Sequence, residues 1–345
     1  LAVTTTDDDS PGMTVVESGG TTSVSESGTT DDITVVLLAQ PSTAVSLTLG
    51  SADTGEVSVF PMTLTFTNAN WDTPQTATLT GVDDDLIDGD ASTLITIAVD
   101  ALSSAPEYSG VADETVSVTT VDDDAPGFTI NESGAGTLVT EAGSTDDFTV
   151  VLQSQPASPV VFDVTAGTPT EATASPLTLT FTAANWNTPQ TVTVTGVDDF
   201  VIDGNVGSVV TIAVDAGASD DDFDLLADQT VNVITTDDDA GGFVLTESSG
   251  TTVVTEAGGS DDFTVVLTSQ PALDVVFDVT SGNTAEVTVT PATLTFTNAN
   301  WDTPQTVTTT GVDDLIDDGD AGTSITVSVN DAASDDDFDA LPDQI

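Results

Sequence analysis

Residues 179–205, LTFTAANWNTPQTVTVTGVDDFVIDGN, decide how the chain folds, because this segment occurs three times. Close variants stand at residues 64–90 and 294–320. The tryptophan of each copy follows the previous one at an interval of 115 residues, at Trp71, Trp186 and Trp301. No insertion disturbs this register, and the 345 residues make three whole periods. Since one period is long enough to form a domain, the sequence predicts a tandem array of three similar domains.

Apolar and polar residues alternate within each period, as they do in strands that bury one face. LTLTFT at 177–182 and QTVTVTG at 190–196 show this pattern, and the Asn and Pro between them indicate a loop. In the first repeat the pattern predicts strands near residues 13–17, 31–38, 45–49, 56–59, 64–67, 76–82, 94–99 and 115–121. Short strands at this density, separated by turn signals, predict an all-β fold made of antiparallel β-sandwiches.

The alignment of the copies sets the domain boundaries. Residues 1–9, LAVTTTDDD, match the closing segments VSVTTVDDD at 116–124 and VNVITTDDD at 231–239. We therefore assign residues 1–9 to the last strand of a preceding or neighbouring repeat. The three sandwiches then comprise residues 10–124, 125–239 and 240–345, and the third stops before its own last strand. Because the sequence does not begin with Met, we expect a processed or excerpted piece of a longer protein.

The charged residues exclude most catalytic strategies. The chain has 59 Asp and Glu and no Lys, Arg, His or Cys, a formal net charge of −59. It therefore lacks the usual general bases, the thiol nucleophile, and the cationic groups that bind anionic transition states or phosphates. Paired carboxylates alone can hydrolyse glycosides. We nevertheless predict a protein that is not an enzyme, does not bind nucleic acid and, having no long apolar run, does not insert into a membrane.

A charge this one-sided opposes the compact state, so we expect bound cations. Disorder is an alternative for an acidic chain, but 38% of the residues are hydrophobic and they alternate in register. Adaptation to high salt would explain the acidity but not the complete absence of Arg.

The loops of a seven-strand sandwich explain where the cations would bind, because alternate loops lie at the same end. In the second repeat these loops carry Glu141, Glu171, Asp198–Asp199 with Asp203, and Asp237–Asp239. Carboxylates that converge cannot all stay ionised without a cation between them. Ca²⁺ accepts about six to eight oxygen ligands in irregular geometry and is plentiful outside cells, so it fits better than Mg²⁺. The alternative is an acidic loop that is merely solvated.

Three motifs of the second repeat carry a family resemblance: VTEAGSTDDFTVVLQSQP at 139–156, LTFTAANWNTPQTVTVTGVDD at 179–199 and VITTDDD at 233–239. With their counterparts in the other repeats, they resemble the Calx-β family, and more closely the Calx-β-like tandem repeats of large bacterial surface proteins of the adhesin type. The resemblance covers the whole chain. It implies immunoglobulin-like sandwiches that bind Ca²⁺ at one end, in extracellular adhesive or structural proteins.

The resemblance also implies which residues bind the ions: a glutamate after the first strand, an Asp pair before the sixth and an Asp triplet after the seventh. With the glutamate of the middle loop and the Asp of the IDG or DDG motif, the candidate metal residues of the first two repeats are Glu26, Glu56, Asp83, Asp84, Asp88, Asp122, Asp123, Asp124, Glu141, Glu171, Asp198, Asp199, Asp203, Asp237, Asp238 and Asp239. Those of the third repeat and the first segment are Glu256, Glu286, Asp313, Asp314, Asp318, Asp7, Asp8 and Asp9. The family has an Asp-Tyr pair in the middle loop where this chain has glutamate without Tyr, so the number of ions per repeat stays open.

These features predict an extracellular structural protein whose Ca²⁺-stabilised repeats form a stalk, fibre or filament, with calcium making the joints rigid. The alternative is an adhesin that binds a glycan or host protein through loops at the opposite end of each sandwich. Those loops carry Trp71, Trp186 and Trp301. The other interpretation of the tryptophans is packing, either beneath their own loop or against the preceding repeat.

The two ends of the sequence fit each other. Placed after Ile345, Leu1 continues the repeat in register, and Leu1 and Val3 take the positions of Val231 and Val233. Because an unpaired sheet edge recruits strands, we predict that residues 1–9 of one copy complete the third sandwich of the next. Such a head-to-tail contact propagates into an open filament. Two versions remain open: separate subunits joined by strand addition, or one window of a longer tandem chain.

Overall fold

The computed structural model describes residues 1–315 and 319–345. The chain forms three consecutive β-sandwiches, each with two sheets around its own hydrophobic core. The prediction of tandem immunoglobulin-like, antiparallel β-sandwiches is confirmed.

The first repeat has two sheets, of strand order β1-β3-β7-β5 and β2-β9-β8-β4-β6. Its strands are β1 (Met13–Glu17), β2 (Thr22–Ser25), β3 (Thr30–Leu37), β4 (Val45–Ser51), β5 (Val57–Phe60), β6 (Thr63–Phe66), β7 (Gln75–Gly81), β8 (Ala91–Val99) and β9 (Glu114–Val121). All neighbours are antiparallel except β2 and β9, which are parallel.

The second repeat has the same topology, with sheets of order β10-β12-β16-β14 and β11-β18-β17-β13-β15. Its strands are β10 (Phe128–Glu132), β11 (Thr137–Thr140), β12 (Thr145–Leu152), β13 (Val160–Ala166), β14 (Ala172–Ser175), β15 (Thr178–Phe181), β16 (Gln190–Gly196), β17 (Val206–Val214) and β18 (Gln229–Thr236). Alternate residues of each strand face inward, as the sequence pattern predicts. At the centre, the ring of Phe162 lies 4.7 Å from that of Phe128 and 5.9 Å from that of Phe181, measured between centroids.

The strands β2 and β11 were not predicted. In the first repeat the chain leaves β1, turns through Gly19 and Gly20 at φ values of 72° and 86°, and joins the opposite sheet. There Thr22 pairs with Val118 of β9. The segment TSVS is too short and too polar to indicate a strand by itself, and its partner is the last strand of the repeat. This change of sheet places the residue after β2, Glu26, beside the end of β9.

The third repeat forms less of its second sheet. Its strands are β19 (Phe243–Glu247), β20 (Ser260–Leu267), β21 (Val275–Ser281), β22 (Val287–Thr290), β23 (Thr293–Phe296), β24 (Gln305–Gly311) and β25 (Ile325–Val329). The first sheet, β19-β20-β24-β22, has all four members, but the second is only β23-β21-β25 among the described residues. Strand β25 has five residues where its counterpart β17 has nine.

Neighbouring repeats touch through the loop that follows β7 or β16. Leu86 forms a β-bridge with Gln155 at the first joint, and Val201 forms one with Gln270 at the second. At the second joint Ile202 also packs against the core of the third repeat. The loop that carries the predicted Asp pair is therefore also the contact with the following sandwich.

Candidate metal sites

Four segments of the second repeat meet at the end of the sandwich that faces the third. Glu141 follows β11, Glu171 precedes β14, Asp199 follows β16 and Asp239 follows β18. One carboxylate oxygen of each of Glu141, Asp199 and Asp239 lies within 4.8 Å of the other two. The topology thus brings together three predicted residues that are far apart in the chain.

The first repeat brings together two such groups. Glu26 lies with Asp122 and Asp124 in one, and with Glu56 and Asp88 in the other, again with ligand oxygens within 4.8 Å of one another. Because the two groups share one glutamate, this end of the sandwich offers carboxylate ligands for two adjacent cations.

One carboxylate oxygen of each glutamate at the centre of these groups is buried without a donor. Glu26 and Glu141 are 2% and 1% exposed, and the Oε2 atom of each is without a hydrogen-bond partner among the described residues. Within the same residues, Oε2 of Glu171 and Oδ2 of Asp239 are also buried and unpaired. A buried polar atom in this state costs about 1–3 kcal/mol, and more when it is charged. No Lys, Arg or His exists in the chain to relieve it, so a bound cation fits the donor set.

Burial and mutual repulsion raise the pKa of the same carboxyl groups. Loss of solvation, followed by the charge of Asp122, raises the pKa of Glu26 to about 7. Loss of solvation, followed by the charge of Asp237, does the same to Glu141, whose pKa also lies at about 7. Burial first and neighbouring carboxylates second raise the pKa of Glu56, Asp88, Glu171 and Asp203. A cation that binds here must displace protons near neutral pH.

Glycines let the backbone form this site. A Cβ atom on Gly196 would lie 2.0 Å from the carbonyl oxygen of Thr140, so only glycine allows the end of β11 to cross directly over β16. Gly204 has a φ of 71°, and its N–H donates to Oδ2 of Asp237 at 2.8 Å. These contacts explain why the sequence carries Gly before the Asp pair and Gly after the IDG aspartate.

Eight predicted residues of the first two repeats stand outside the tight groups, of which Glu171, Asp203 and Asp237 are described above and the other five lie at the rim of the site. These five are exposed and stand outside the tight groups of three found among the described residues: Asp83, Asp84, Asp123, Asp198 and Asp238. Ligands at such positions would complete the coordination of an ion from the solvent side.

The acidic residues of the third repeat are assembled less tightly. Glu256 and Asp313 are exposed, and Glu286 and Asp314 are half-buried. The predicted residue Asp318 lies outside the described residues. Within the described part of the chain, the tight groups of three carboxylates all belong to the first two repeats.

The segment predicted to join copies is exposed and contains no strand. Leu1 and Val3 are exposed, as is Ile345 at the other end of the sequence. The triplet Asp7, Asp8 and Asp9 is exposed too, and the N–H of Asp9 donates to Oδ1 of Asp7 at 3.1 Å. Asp237 and Asp239 make the same turn at 2.8 Å, so the triplet adopts the turn found at the site of the second repeat.

The tryptophans are packed. Trp71, Trp186 and Trp301 are each half-buried against the core of their own repeat. The ring of Trp301 also lies 5.5 Å from the ring of Phe200 in the preceding repeat, between centroids. This placement favours the packing interpretation over a ligand platform.

Two polar contacts were missed by the sequence analysis. Asp146 accepts hydrogen bonds from Oγ of Ser133 at 2.6 Å and from the N–H of Leu138 at 2.9 Å, and so ties β10 to β11. The hydrogen bond from Ser133 is the main reason that its pKa is lowered. The repeated Asp pair at the start of β3, β12 and β20 was the available signal. At the joint, Oγ of Ser269 donates to Oδ1 of Asp239 at 3.3 Å, a contact with no sequence signature.

No family model and no curated protein matches the chain. Similar solved structures include the calcium binding domain CBD12 of CALX1.1, at 16% identity over 58% of this chain and 80% of that chain, with a TM-score of 0.27. CBD12 from CALX1.2 has 18% identity over 58% and 79%, at a TM-score of 0.25. The titin I-band fragment I67-I69 has 8% identity over 93% and 92%, at 0.24. Likenesses this weak support no conclusion about function. The described part of the chain contains no helix long and apolar enough to cross a membrane.

Proposed function

We propose that the chain is a non-enzymatic structural protein in which Ca²⁺ at the acidic ends of the sandwiches stiffens a tandem array. It would work outside the cell, as part of a stalk, fibre or filament. The observation that carries the proposal is the buried, unpaired carboxylate oxygen of Glu141 beside Asp199 and Asp239, repeated at Glu26, in a chain without cationic side chains. Carboxylates in irregular arrangement are ligands for Ca²⁺, which is abundant outside cells.

The position of Asp239 supports a role for the ion in the joint. Its carboxylate belongs to the group of three with Glu141 and Asp199, and it also accepts a hydrogen bond from Ser269 of the next sandwich. An ion that fixes Asp239 therefore restrains the start of the third repeat. The ring of Phe200 also contacts that of Trp301 at the same joint, which is a further reason to assign Trp301 to the joint and not to recognition.

Calorimetric titration of the full chain, stripped of ions, tests the binding. We expect saturable Ca²⁺ binding that Mg²⁺ does not reproduce at equal ionic strength. The double variant Glu141→Gln with Asp199→Asn should lose the ions of the second repeat and keep those of the first. The matched control is Asp221→Asn with Asp228→Asn, which removes the same charge from exposed positions of the same repeat. An equal loss in both double variants would mean diffuse counter-ion attraction and would contradict the proposal.

Small-angle X-ray scattering tests the stiffening. We expect a narrow distribution of lengths in Ca²⁺ and a broad one after ion removal, at constant ionic strength. Scattering curves that coincide in the two conditions would leave the ion without a role in the joints.

A further inference from the structure

Strand β11, which presents Glu141 at its end, lies at the edge of its sheet. On one side it pairs with β18, and the N–H of Glu141 continues this pairing by donating to the carbonyl of Thr236 at 3.1 Å. On its other side the sheet has no further strand among the described residues. The N–H groups on that side therefore need acceptors other than a strand.

Side chains supply these acceptors. The N–H of Leu138 donates to Oδ2 of Asp146 at 2.9 Å, and the N–H of Thr140 donates to Oγ of Ser144 at 2.8 Å. Leu138 and Thr140 are alternate residues, whose N–H groups point to the same side of a strand. Both acceptors lie at the start of β12, so the chain that follows Glu141 folds back along the free edge of β11.

The first repeat has the same arrangement on the free edge of β2. The N–H of Ser23 donates to Oδ2 of Asp31 at 3.1 Å, and the N–H of Ser25 donates to Oγ1 of Thr29 at 2.7 Å. One repeat uses Thr and the other Ser, so the hydroxyl is the group that the two positions share. The contact recurs in both repeats that assemble a tight group of carboxylates.

These contacts fix the turn that holds Glu141. The N–H of Gly143, which has a φ of 81°, donates to the carbonyl of Thr140 at 3.0 Å, while the N–H of the same threonine donates to Ser144. The carbonyl of Ser144 accepts from the N–H of Gly196 at 3.0 Å and so attaches the turn to β16. A movement that carries the glutamate away from the other carboxylates must break these hydrogen bonds.

Such restraints matter because the site opposes its own assembly. Glu141 is 1% exposed, its Oε2 atom has no partner among the described residues, and it lies with the carboxylates of Asp199 and Asp239. Rotation of the turn toward solvent would relieve both the burial and the repulsion. A cation would then have to draw the glutamate back before it could bind, and that rearrangement lowers affinity.

We propose that Ser144 and Asp146 are positioning residues that hold Glu141 in place for the cation, as Thr29 and Asp31 do in the first repeat. They contact the edge of the strand and lie outside the tight groups of carboxylates found among the described residues. The inference rests on the proposed Ca²⁺ function. Removing an outer partner of this kind lowers metal affinity by about 10–100-fold.

Calorimetric titration of the full chain with Ca²⁺ tests the hydroxyl, in a background where Glu26→Gln and Asp122→Asn remove ligands of the first repeat. Ser144→Ala deletes the acceptor at an exposed position and should weaken binding about tenfold, with the number of bound ions unchanged. Ser144→Thr keeps a hydroxyl, as Thr29 does, and should restore the affinity of the parent. Thr188→Ala deletes an exposed hydroxyl at the opposite end of the same sandwich and should bind as the parent does.

The test of Asp146 needs a control for charge. Its Oδ1 atom accepts from the hydroxyl of Ser133 and the N–H of Asp147, and its Oδ2 atom accepts from the N–H of Leu138. An amide has only one oxygen, so Asp146→Asn should weaken Ca²⁺ binding as Ser144→Ala does. Asp147→Asn removes the same charge from the next, exposed position and should leave the affinity nearly unchanged.

Hydrogen exchange in ion-free buffer measures the turn without any ion. The amide of Glu141 should exchange faster in Ser144→Ala and in Asp146→Asn than in the parent, whereas the amides of β16 should not change. A general loss of stability would accelerate both sets of amides, so this readout separates positioning from a merely structural role.

Ca²⁺ affinity in Ser144→Ala equal to that in Thr188→Ala would overturn the proposal, as would equal losses in Ser144→Ala and Ser144→Thr. Equal losses in Asp146→Asn and Asp147→Asn would show an effect of charge alone and exclude Asp146. A parent chain without saturable Ca²⁺ binding would refute the proposed function, while faster exchange at Glu141 in the two variants would still retain their hold on the turn. Saturable binding in the parent and unchanged affinity in the variants would do the reverse.

Discussion

The second and third repeats are close in sequence, yet they differ at one edge, and the difference shows what the last strand does. In the second repeat, Val139 is buried and Glu141 is 1% exposed beside the end of β18. In the third repeat, the equivalent Val254 is half-buried and Glu256 is exposed. One strand therefore pairs two backbone edges, covers the core and delivers two of the carboxylates of the site. In the second repeat, the same strand therefore completes both the sheet and the carboxylate group.

Ion removal should narrow the difference in stability between the repeats, because it destabilises the first two and affects the third least. At an ion concentration about 100-fold above the Kd, each bound ion stabilises its domain by about 2.7 kcal/mol, and the first repeat has ligands for two. Hydrogen exchange of the dilute full chain, with and without Ca²⁺, should show accelerated exchange in β7 and β16 and little change in β24. Equal acceleration in all three repeats would point to general charge repulsion.

Supplying the strand covalently should make the third repeat resemble the second. We expect a chain extended by LAVTTTDDD after Ile345 to gain about 4 kcal/mol in the unfolding free energy of this repeat, since one leucine and one valine become buried. Urea unfolding, followed by hydrogen exchange of Ile325–Val329, measures the gain. The control extension, LADTTTDDD, has the same length and places an aspartate on the inward face. Similar gains from both extensions would contradict the pairing.

Acidification should stabilise the ion-free second repeat. The pKa of Glu141 lies at about 7 in the folded chain, above its ordinary value of 4.5. Its stabilising contribution is therefore fully present below pH 4.5 and is lost as the pH rises through 7. The change amounts to about 3 kcal/mol for this group. Urea unfolding of ion-stripped chain at pH 5 and pH 7.5 measures it, and Glu141→Gln should remove this part of the pH dependence. A variant with unchanged pH dependence would show that Glu141 does not titrate in this range.

The smallest effect should come from the joint between these two repeats. Ser269→Ala removes the hydroxyl that donates to the carbonyl of Ala240 at 2.8 Å and lies 3.3 Å from Oδ1 of Asp239, and we expect a loss of about 1 kcal/mol in the stability of the third repeat. Thr251→Ala removes an exposed hydroxyl of the same repeat and should have no measurable effect. Thermal unfolding of both variants in Ca²⁺ provides the comparison, and identical melting curves would exclude a stabilising hydrogen bond at the joint.

Much of the fold was predictable because its signals are local and repeated. The alternation in QTVTVTG predicts β16, and the same pattern recurs at β7 and β24. The acidic site was predictable in outline, since strand topology alone sends the loops of Glu141, Asp199 and Asp239 to one end. Strand β11 was not predictable, because its pairing depends on β18 at the far end of the repeat.

The sequence by itself determined the array of three sandwiches, the inward face of the predicted strands and the type of ligand at one end of each. These features follow from the repeat, from the alternation of apolar and polar residues along each strand, and from the carboxylates in the loops, all of which can be read directly from the sequence. Only the tertiary structure decided that Glu26 is shared between two carboxylate groups and that Asp239 also contacts Ser269. Each of these contacts joins segments that are far apart in the chain. Whether a carboxylate is buried therefore depends on which segments the fold places next to it, and a local sequence pattern does not contain that information.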